Sequence, residues 1–379
     1  MTRLPLEGLL VADFSRVLAG PLATAWMADL GADVIKVERP GAGDDTRSWG
    51  PPWTDRGSTY FQSANRSKRS VALDLSDEAD QALARRLAER ADVVVENFKT
   101  GALDARGLGY PAVSQANPKV VYCSITGFGS GAGAELPGYD FLVQATGGLM
   151  SITGPAGGEP TKVGVALVDV LTAKDVLSGV LAALRVRDRD GVGQRIEVAL
   201  LSSLLGSLAN QATAYLGTGV APSRMGNAHP SITPYETLGC SDGEVAVACG
   251  NDGQFERMAT ALGIPELARD ERFATNPARV AHREELRAAL ERALAAADAP
   301  TWVARLTAAG VPAGEVGDLE SAFALAERLG LAPRVPVGEG FADQVRHPVR
   351  YDRTPVVDYR PPPALGEHDA EVRAWLTAD

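Results

Sequence analysis

Histidine is scarce in this chain, with four in 379 residues, at positions 229, 282, 347 and 368. None precedes His229, so the first half can hold no local Ser-His-Asp set and no H-E-x-x-H zinc motif. Imidazole chemistry there would have to borrow from a second domain or another subunit, and a carboxylate is the better candidate for a central role. Cysteine is equally thin. Cys123, Cys240 and Cys249 form an odd set with no C-x-x-C spacing. That disfavours a disulfide framework or a cysteine zinc site, leaves no metal expected, and fits a reducing, cytoplasmic setting. The N-terminus lacks a basic start followed by an apolar run, because Glu7 and Asp13 interrupt it, so no signal peptide is expected.

Positive charge is also in deficit: 37 Lys and Arg stand against 48 Asp and Glu, for a net −11. Such a chain does not suit non-specific nucleic-acid binding, which needs cations against the phosphate backbone. One stretch reverses the balance. Between Lys36 and Arg69 there are seven basic residues (36, 39, 47, 56, 66, 68, 69) and four acids (38, 44, 45, 55). A phosphorylated small molecule would suit it, although a solvated loop has the same composition. Charge of either sign is missing from Val198–Ser223, long enough to span a bilayer. Its Ser202, Ser203, Ser207, Asn210, Gln211 and Thr213 would go unsatisfied in lipid, so a buried helix at a domain or subunit junction is expected instead of a membrane span.

What is present points to a folded, globular chain. Hydrophobic residues make up 45%, and the length suits two domains. The first 200 residues alternate strand and helix. Strands are expected at Gly8–Phe14, Asp33–Val37, Ser70–Leu75, Val93–Asn97, Lys119–Thr126, Lys162–Val168 and Gln194–Leu200, and helices at Ala19–Leu30 and Asp77–Ala91. This pattern predicts an α/β fold with a doubly wound, Rossmann-like parallel sheet. Its domain would take residues 1–200 and 326–379, with a linker helix at 201–225. A smaller α+β domain at 226–325 would open with a hairpin, Tyr235–Cys249, turning at Asp242-Gly243.

The turn after the first strand, Ser15-Arg16-Val17-Leu18-Ala19-Gly20-Pro21, has one glycine where G-x-G-x-x-G needs three. Pro21 also removes an amide from the helix start, so a dinucleotide site is rejected. Gly127–Gly131 is glycine-rich but opens no helix, and reads as a loop. Asp169 is the carboxylate that stands out. It follows the expected strand Lys162–Val168 and opens a helix with Val170, Ala173, Leu177, Val180, Leu181 and Leu184 on one face. Ligands bind at the carboxyl ends of strands in such sheets, and free amides at the helix start would keep the carboxylate ionised. Asp is also among the commonest helix N-caps, so position alone does not assign it a role.

Across nearly all 379 positions the chain resembles the family III CoA-transferases, which include formyl-CoA transferase and carnitine CoA-transferase. The segments that carry the likeness are RVLAGP (Arg16–Pro21), DLGADVIKVERPGAGDD (Asp29–Asp45), NRSKRSVALDL (Asn65–Leu75), VENFKTG (Val95–Gly101), SITGFG (Ser124–Gly129), Gly138-Tyr139-Asp140, VALVD (Val165–Asp169) and GVGQRIEV (Gly191–Val198). Trp49-Gly50-Pro51-Pro52, Tyr122–Gly127 and Ala228-His229 are shared further with the succinate/glutarate–hydroxymethylglutarate type.

The resemblance implies an interlocked homodimer and a nucleophilic Asp169 that forms a mixed anhydride and then an aspartyl-CoA thioester. Coenzyme A would enter as substrate, with no permanently bound cofactor. CoA contacts carry over to Val17, Ala19, Arg39, Leu73, Asn97 and Phe98, and more loosely to Lys99 and Arg106, while Tyr139 and His229 fall in the acyl pocket. Succinyl-CoA, or a similar short dicarboxyl-CoA, is the expected donor. Leu18 stands where the formyl type has glutamine, so a formyl substrate is not implied.

The same fold also carries α-methylacyl-CoA racemases, which use a histidine in Gly-His-Asp. Here Tyr139 takes that place, and a phenol is a poor neutral-pH base. A CoA-binding protein without turnover is a third reading, which tight CoA binding with no exchange would support.

Overall fold

The computed structural model describes residues 3–378. The chain divides into two compact units: the first 149 residues with Val163–Val220 and the stretch from Ala332 onward, and Met150–Lys162 with Ala221–Leu331.

The larger unit is built on six strands: β1 (Leu10–Asp13), β2 (Asp33–Glu38), β3 (Arg69–Ala72), β4 (Val93–Glu96), β5 (Val121–Thr126) and β6 (Gln194–Ala199). Every pairing is parallel, in the order β3-β2-β1-β4-β5-β6. This is the doubly wound order, with the winding direction reversing between β1 and β4. Apolar residues occupy both strand faces because helices cover both. Val11, Val34, Val93 and Val95 pack with Ala23 and Met27 of α1 (Ala19–Asp29) and with Val176 and Val180 of the helix Leu167–Asp190. The alternate residues Ala12, Ile35 and Val94 pack with Leu87 of α2 (Glu78–Arg90) and with Leu376 near the C-terminus.

The expected strand at Lys162–Val168 is not there. Residues 162–166 are irregular and largely exposed, Val165 at 53%. The edge beside β5 is taken by β6, which pairs along its whole length, so no ladder remains for this segment. The charge-free stretch also differs from the single buried helix expected. It forms two helices, Leu200–Ser207 and Ala209–Thr218, and the second buries no residue, with Leu216 82% exposed.

The second unit has a three-stranded antiparallel sheet of β7 (Tyr235–Gly239), β8 (Glu244–Ala248) and β9 (Ala313–Glu315). The hairpin closes as Asp242-Gly243 predicts, with Cys240 N–H donating to Gly243 O at 2.9 Å. Leu238, Val245 and Val247 back onto a core around Phe255, Leu290 and Trp302.

Candidate active site

The turn after β1 is rigid without a glycine cradle. Val17 sits at φ 72°, a left-handed conformation that a β-branched residue adopts only when its surroundings enforce it. Two groups do so. Asp44 accepts from Val17 N–H at 3.2 Å, and the Asn97 side chain clamps Arg16 from both sides, accepting from its N–H at 2.9 Å and donating to its carbonyl at 2.8 Å. Beneath the turn, fully buried Lys36 donates to Ser15 O and pairs with Asp44, both at 2.9 Å. Lys68, also buried, pairs with Asp13 at 2.9 Å. Burial alone would raise the Asp13 pKa, but Lys68 and Lys36 outweigh it and hold the carboxyl at about 2.

This network corrects the reading of the basic stretch as a surface for phosphates. Lys36 pairs with Asp44, Arg47 with Glu38, Arg66 with Asp29, Lys68 with Asp13, and Arg69 with Asp33 and Glu371. Five of the seven cations serve inside the fold, because their partners lie on neighbouring strands and helices.

Asp169 lies in the first turn of α3 (Leu167–Asp190), with 8% of its surface exposed. Its carboxylate has no hydrogen bond or ion pair with any described residue. The amides at the helix start, expected to keep it ionised, are engaged elsewhere. Asp140 Oδ1 accepts from Val168 N–H at 2.8 Å and Asp169 N–H at 3.3 Å, while Asp140 Oδ2 accepts from Gln144 Nε2 at 2.7 Å. Burial first, and the Asp140 charge second, push the Asp169 pKa up to about 7. The backbone of Asp169 is therefore held by Asp140, and its carboxylate is left without a polar partner among the described residues.

Asp169 faces a cleft of about 420 Å³ whose floor is the Arg16–Ala19 turn after β1 and the Asn97–Thr100 turn after β4. Those turns flank the reversal in winding, where ligands bind in such sheets. The loop from Gly127 to Tyr139 forms the far wall. It folds back so closely that a Cβ on Gly127 would stand 2.3 Å from Gly138 Cα, which restricts both positions to glycine. A second pocket of about 160 Å³ adjoins, sharing Arg16 and Phe98 and adding Arg39, Leu73 and Arg106. Tyr60 lies close enough to feel Asp169. Its burial, and then the charges of Asp169, Asp140 and Asp44, drive its pKa to about 12.

Residues 6–369 match the model of CoA-transferase family III. The chain belongs to that family. It is 46% identical to the succinate–glutarate CoA-transferase of Agrobacterium fabrum, covering 98% of this chain and 96% of that protein. It is 38% identical to the acetyl-CoA:oxalate CoA-transferase of Acetobacter aceti, over 99% and 96%. Among solved structures it is similar to a CAIB/BAIF family protein from Brucella suis, with 46% identity, a TM-score of 0.87, and coverage of 99% and 100%. It is thus an enzyme of the CoA-transferase class, as its motifs imply.

Within this family III chain, the residues singled out from sequence distribute as follows. Val17, Ala19, Asn97, Phe98, Lys99, Tyr139 and Asp169 line the cleft, and Arg39, Leu73, Phe98 and Arg106 the adjoining pocket. Two of the cations are already engaged: Arg39 with Asp45, and Arg106 with the carbonyls of Leu75 and Ala102. Lys99 pairs with Glu135 at 2.6 Å. His229 belongs to the second unit, where its Nδ1 accepts from Ser231 N–H and its ring packs on Tyr235. Sequence reasoning did not find Asp140 as the group that orders the start of α3, nor Arg16, Gln144 and Tyr60. The triplet Gly138-Tyr139-Asp140 was the available signal for Asp140.

Proposed function

We propose that the chain moves CoA from succinyl-CoA to a second short dicarboxylic acid, with Asp169 as the covalent carrier. The observation that carries this reading is a buried carboxylate, unpaired among the described residues, on the wall of a cleft at the strand-order reversal. Donors and acceptors named for the relatives, succinate, glutarate and oxalate, suggest the acid class.

In this mechanism an Asp169 oxygen attacks the thioester carbonyl and the C–S bond breaks, giving a mixed anhydride and CoA thiolate. The thiolate attacks the aspartyl carbonyl, releasing the donor acid as its carboxylate and leaving an aspartyl-CoA thioester. The acceptor carboxylate attacks that thioester, and thiolate returns to the new acyl carbonyl, freeing Asp169. No proton is gained or lost overall. The mixed anhydrides are more reactive than either thioester and hydrolyse readily, so the site must limit water, and the attack begins from Asp169 in its ionised form.

Coenzyme A fits with its nucleotide against Arg39, Leu73 and Arg106 and its pantetheine arm running past Val17, Ala19, Asn97 and Phe98 toward Asp169; phosphate must compete with Asp45 for Arg39. Tyr139 borders the acyl group in this reading. Exposed Leu205, Tyr215, Leu216 and Val220 support a homodimer that covers them, and three free cysteines suit the cytoplasm. Asp169→Ala is expected to keep its circular dichroism and lose exchange between succinyl-CoA and glutarate. Hydroxylamine with succinyl-CoA should leave a hydroxamate on Asp169 of the native chain, read by peptide mass spectrometry. Full exchange in the alanine variant would end the proposal.

A further inference from the structure

Arg16 and Lys99 are the two cationic side chains on the wall of the Asp169 cleft, facing Asp45, Glu135, Asp140 and Asp169. Lys99 is taken by Glu135 and Asp45 by Arg39. The guanidinium of Arg16 is left with little compensation: among the described residues its one ion-pair partner is Asp45, at 4.0 Å, and its side chain makes no hydrogen bond.

Its backbone, by contrast, is clamped on both sides by Asn97, and the guanidinium lies over the Phe98 ring, 4.9 Å from the centroid. A guanidinium with a fixed base, an aromatic ring against one face and uncommitted donors along its edge is suited to a carboxylate. A diacid substrate needs such a partner. Its second carboxylate enters a cleft that already holds Asp140 and Asp169, and Arg16 is the cation there without a close partner.

We propose that Arg16 selects dicarboxylic acids by binding the carboxylate that is not being activated. This rests on the transferase reading above. Arg16 also borders the pocket assigned to the CoA nucleotide, so the rival role is as a partner of CoA phosphate.

The test compares glutarate with valerate, five-carbon acids with and without the second carboxylate, as acceptors from succinyl-CoA. In an exchange of this ping-pong kind, kcat/KM for the acid is independent of the donor. Arg16→Gln should cut the glutarate-to-valerate ratio of kcat/KM about 100-fold, and Arg16→Lys should restore part of it. Parallel loss for both acids, or an equal loss in kcat/KM for succinyl-CoA and butyryl-CoA with the acid ratio intact, would overturn the assignment in favour of phosphate binding. An unchanged ratio with unchanged thioester kinetics would overturn it too. Native protein that exchanges with no acid at all would instead sink the transferase reading, a result distinct from any of these.

Discussion

Replacing Asp169 with asparagine should stop catalysis and make the protein more stable. The side chain is 8% exposed, lacks a described polar partner, and has its pKa raised from 3.8 to about 7, mainly by burial. The unfolded chain therefore ionises at lower pH than the native one. Between those two values the native state binds the extra proton, so stability falls as pH rises, and the cost is complete above pH 7. A rise of roughly 3 units at 1.36 kcal/mol per unit corresponds to about 4 kcal/mol against the folded state. Asparagine keeps the shape and removes the charge. Its gain should approach about 4 kcal/mol at pH 8, shrink to roughly half at pH 5.5, and vanish below the unfolded pKa. Denaturant unfolding of both proteins at pH 8 and 5.5, followed by tryptophan fluorescence, measures the difference. A variant no more stable than the native chain at pH 8, or a gain that does not shrink on acidification, would refute the reasoning.

Three further outcomes follow, two from the Asp169 site and one from the buried ion pairs beneath the first turn. On the proposed mechanism exchange starts from ionised Asp169, so kcat/KM should fall as pH drops through about 7. Asp140→Asn keeps an oxygen for the Val168 amide but removes the neighbouring charge, the smaller of the two causes, and should move that acid limb down by about 1 unit; an unmoved limb would exclude Asp140 as a source of the shift. Lys68 is buried against Asp13, Asn65 and the Pro21 carbonyl. Lys68→Met removes the ion-pair partner of Asp13 and should cost about 3–5 kcal/mol in denaturant unfolding; a neutral result would show that Lys36, Ser15 and Thr24 suffice to hold Asp13.

Five strands of the doubly wound sheet were legible as short runs bounded by turn residues and buried on both faces, and β6 by the alternation of half-buried Ile196 and Val198 with exposed Arg195 and Glu197. Lys162–Val168 carries the same alternation and misled for that reason. Nothing local tells a run of valines that the edge it would join is occupied by a strand thirty residues on. Asp169 was legible through its motif and its place at the start of a long apolar-faced helix, but its electrostatics were not. Whether the helix-start amides serve Asp169 or Asp140 depends on how a separate short helix, Asp140–Thr146, packs against α3. The basic stretch failed in the same way. Counting charges on Lys36–Arg69 cannot show that Asp13 and Asp29 meet Lys68 and Arg66 across the fold.

Those buried pairs also explain how this site does without a glycine-rich turn. A dinucleotide fold uses glycines so that its first turn can approach a pyrophosphate. Here the turn instead holds side chains, Val17, Ala19 and Arg16, along the cleft that Asp169, the proposed nucleophile, also lines. A valine in the left-handed region costs of order 1–3 kcal/mol, and buried ion pairs add little net stability of their own. Both are tolerable because Lys36 links Ser15 O to Asp44, and Asp44 in turn holds the Val17 amide. The rigidity therefore comes from charges beneath the turn, which leaves its upper surface free for substrate. On this account, loosening the support by Asn97→Ala should disturb substrate affinity through Arg16 while leaving the Asp169 pKa, set on the opposite wall by Asp140 and burial, where it is.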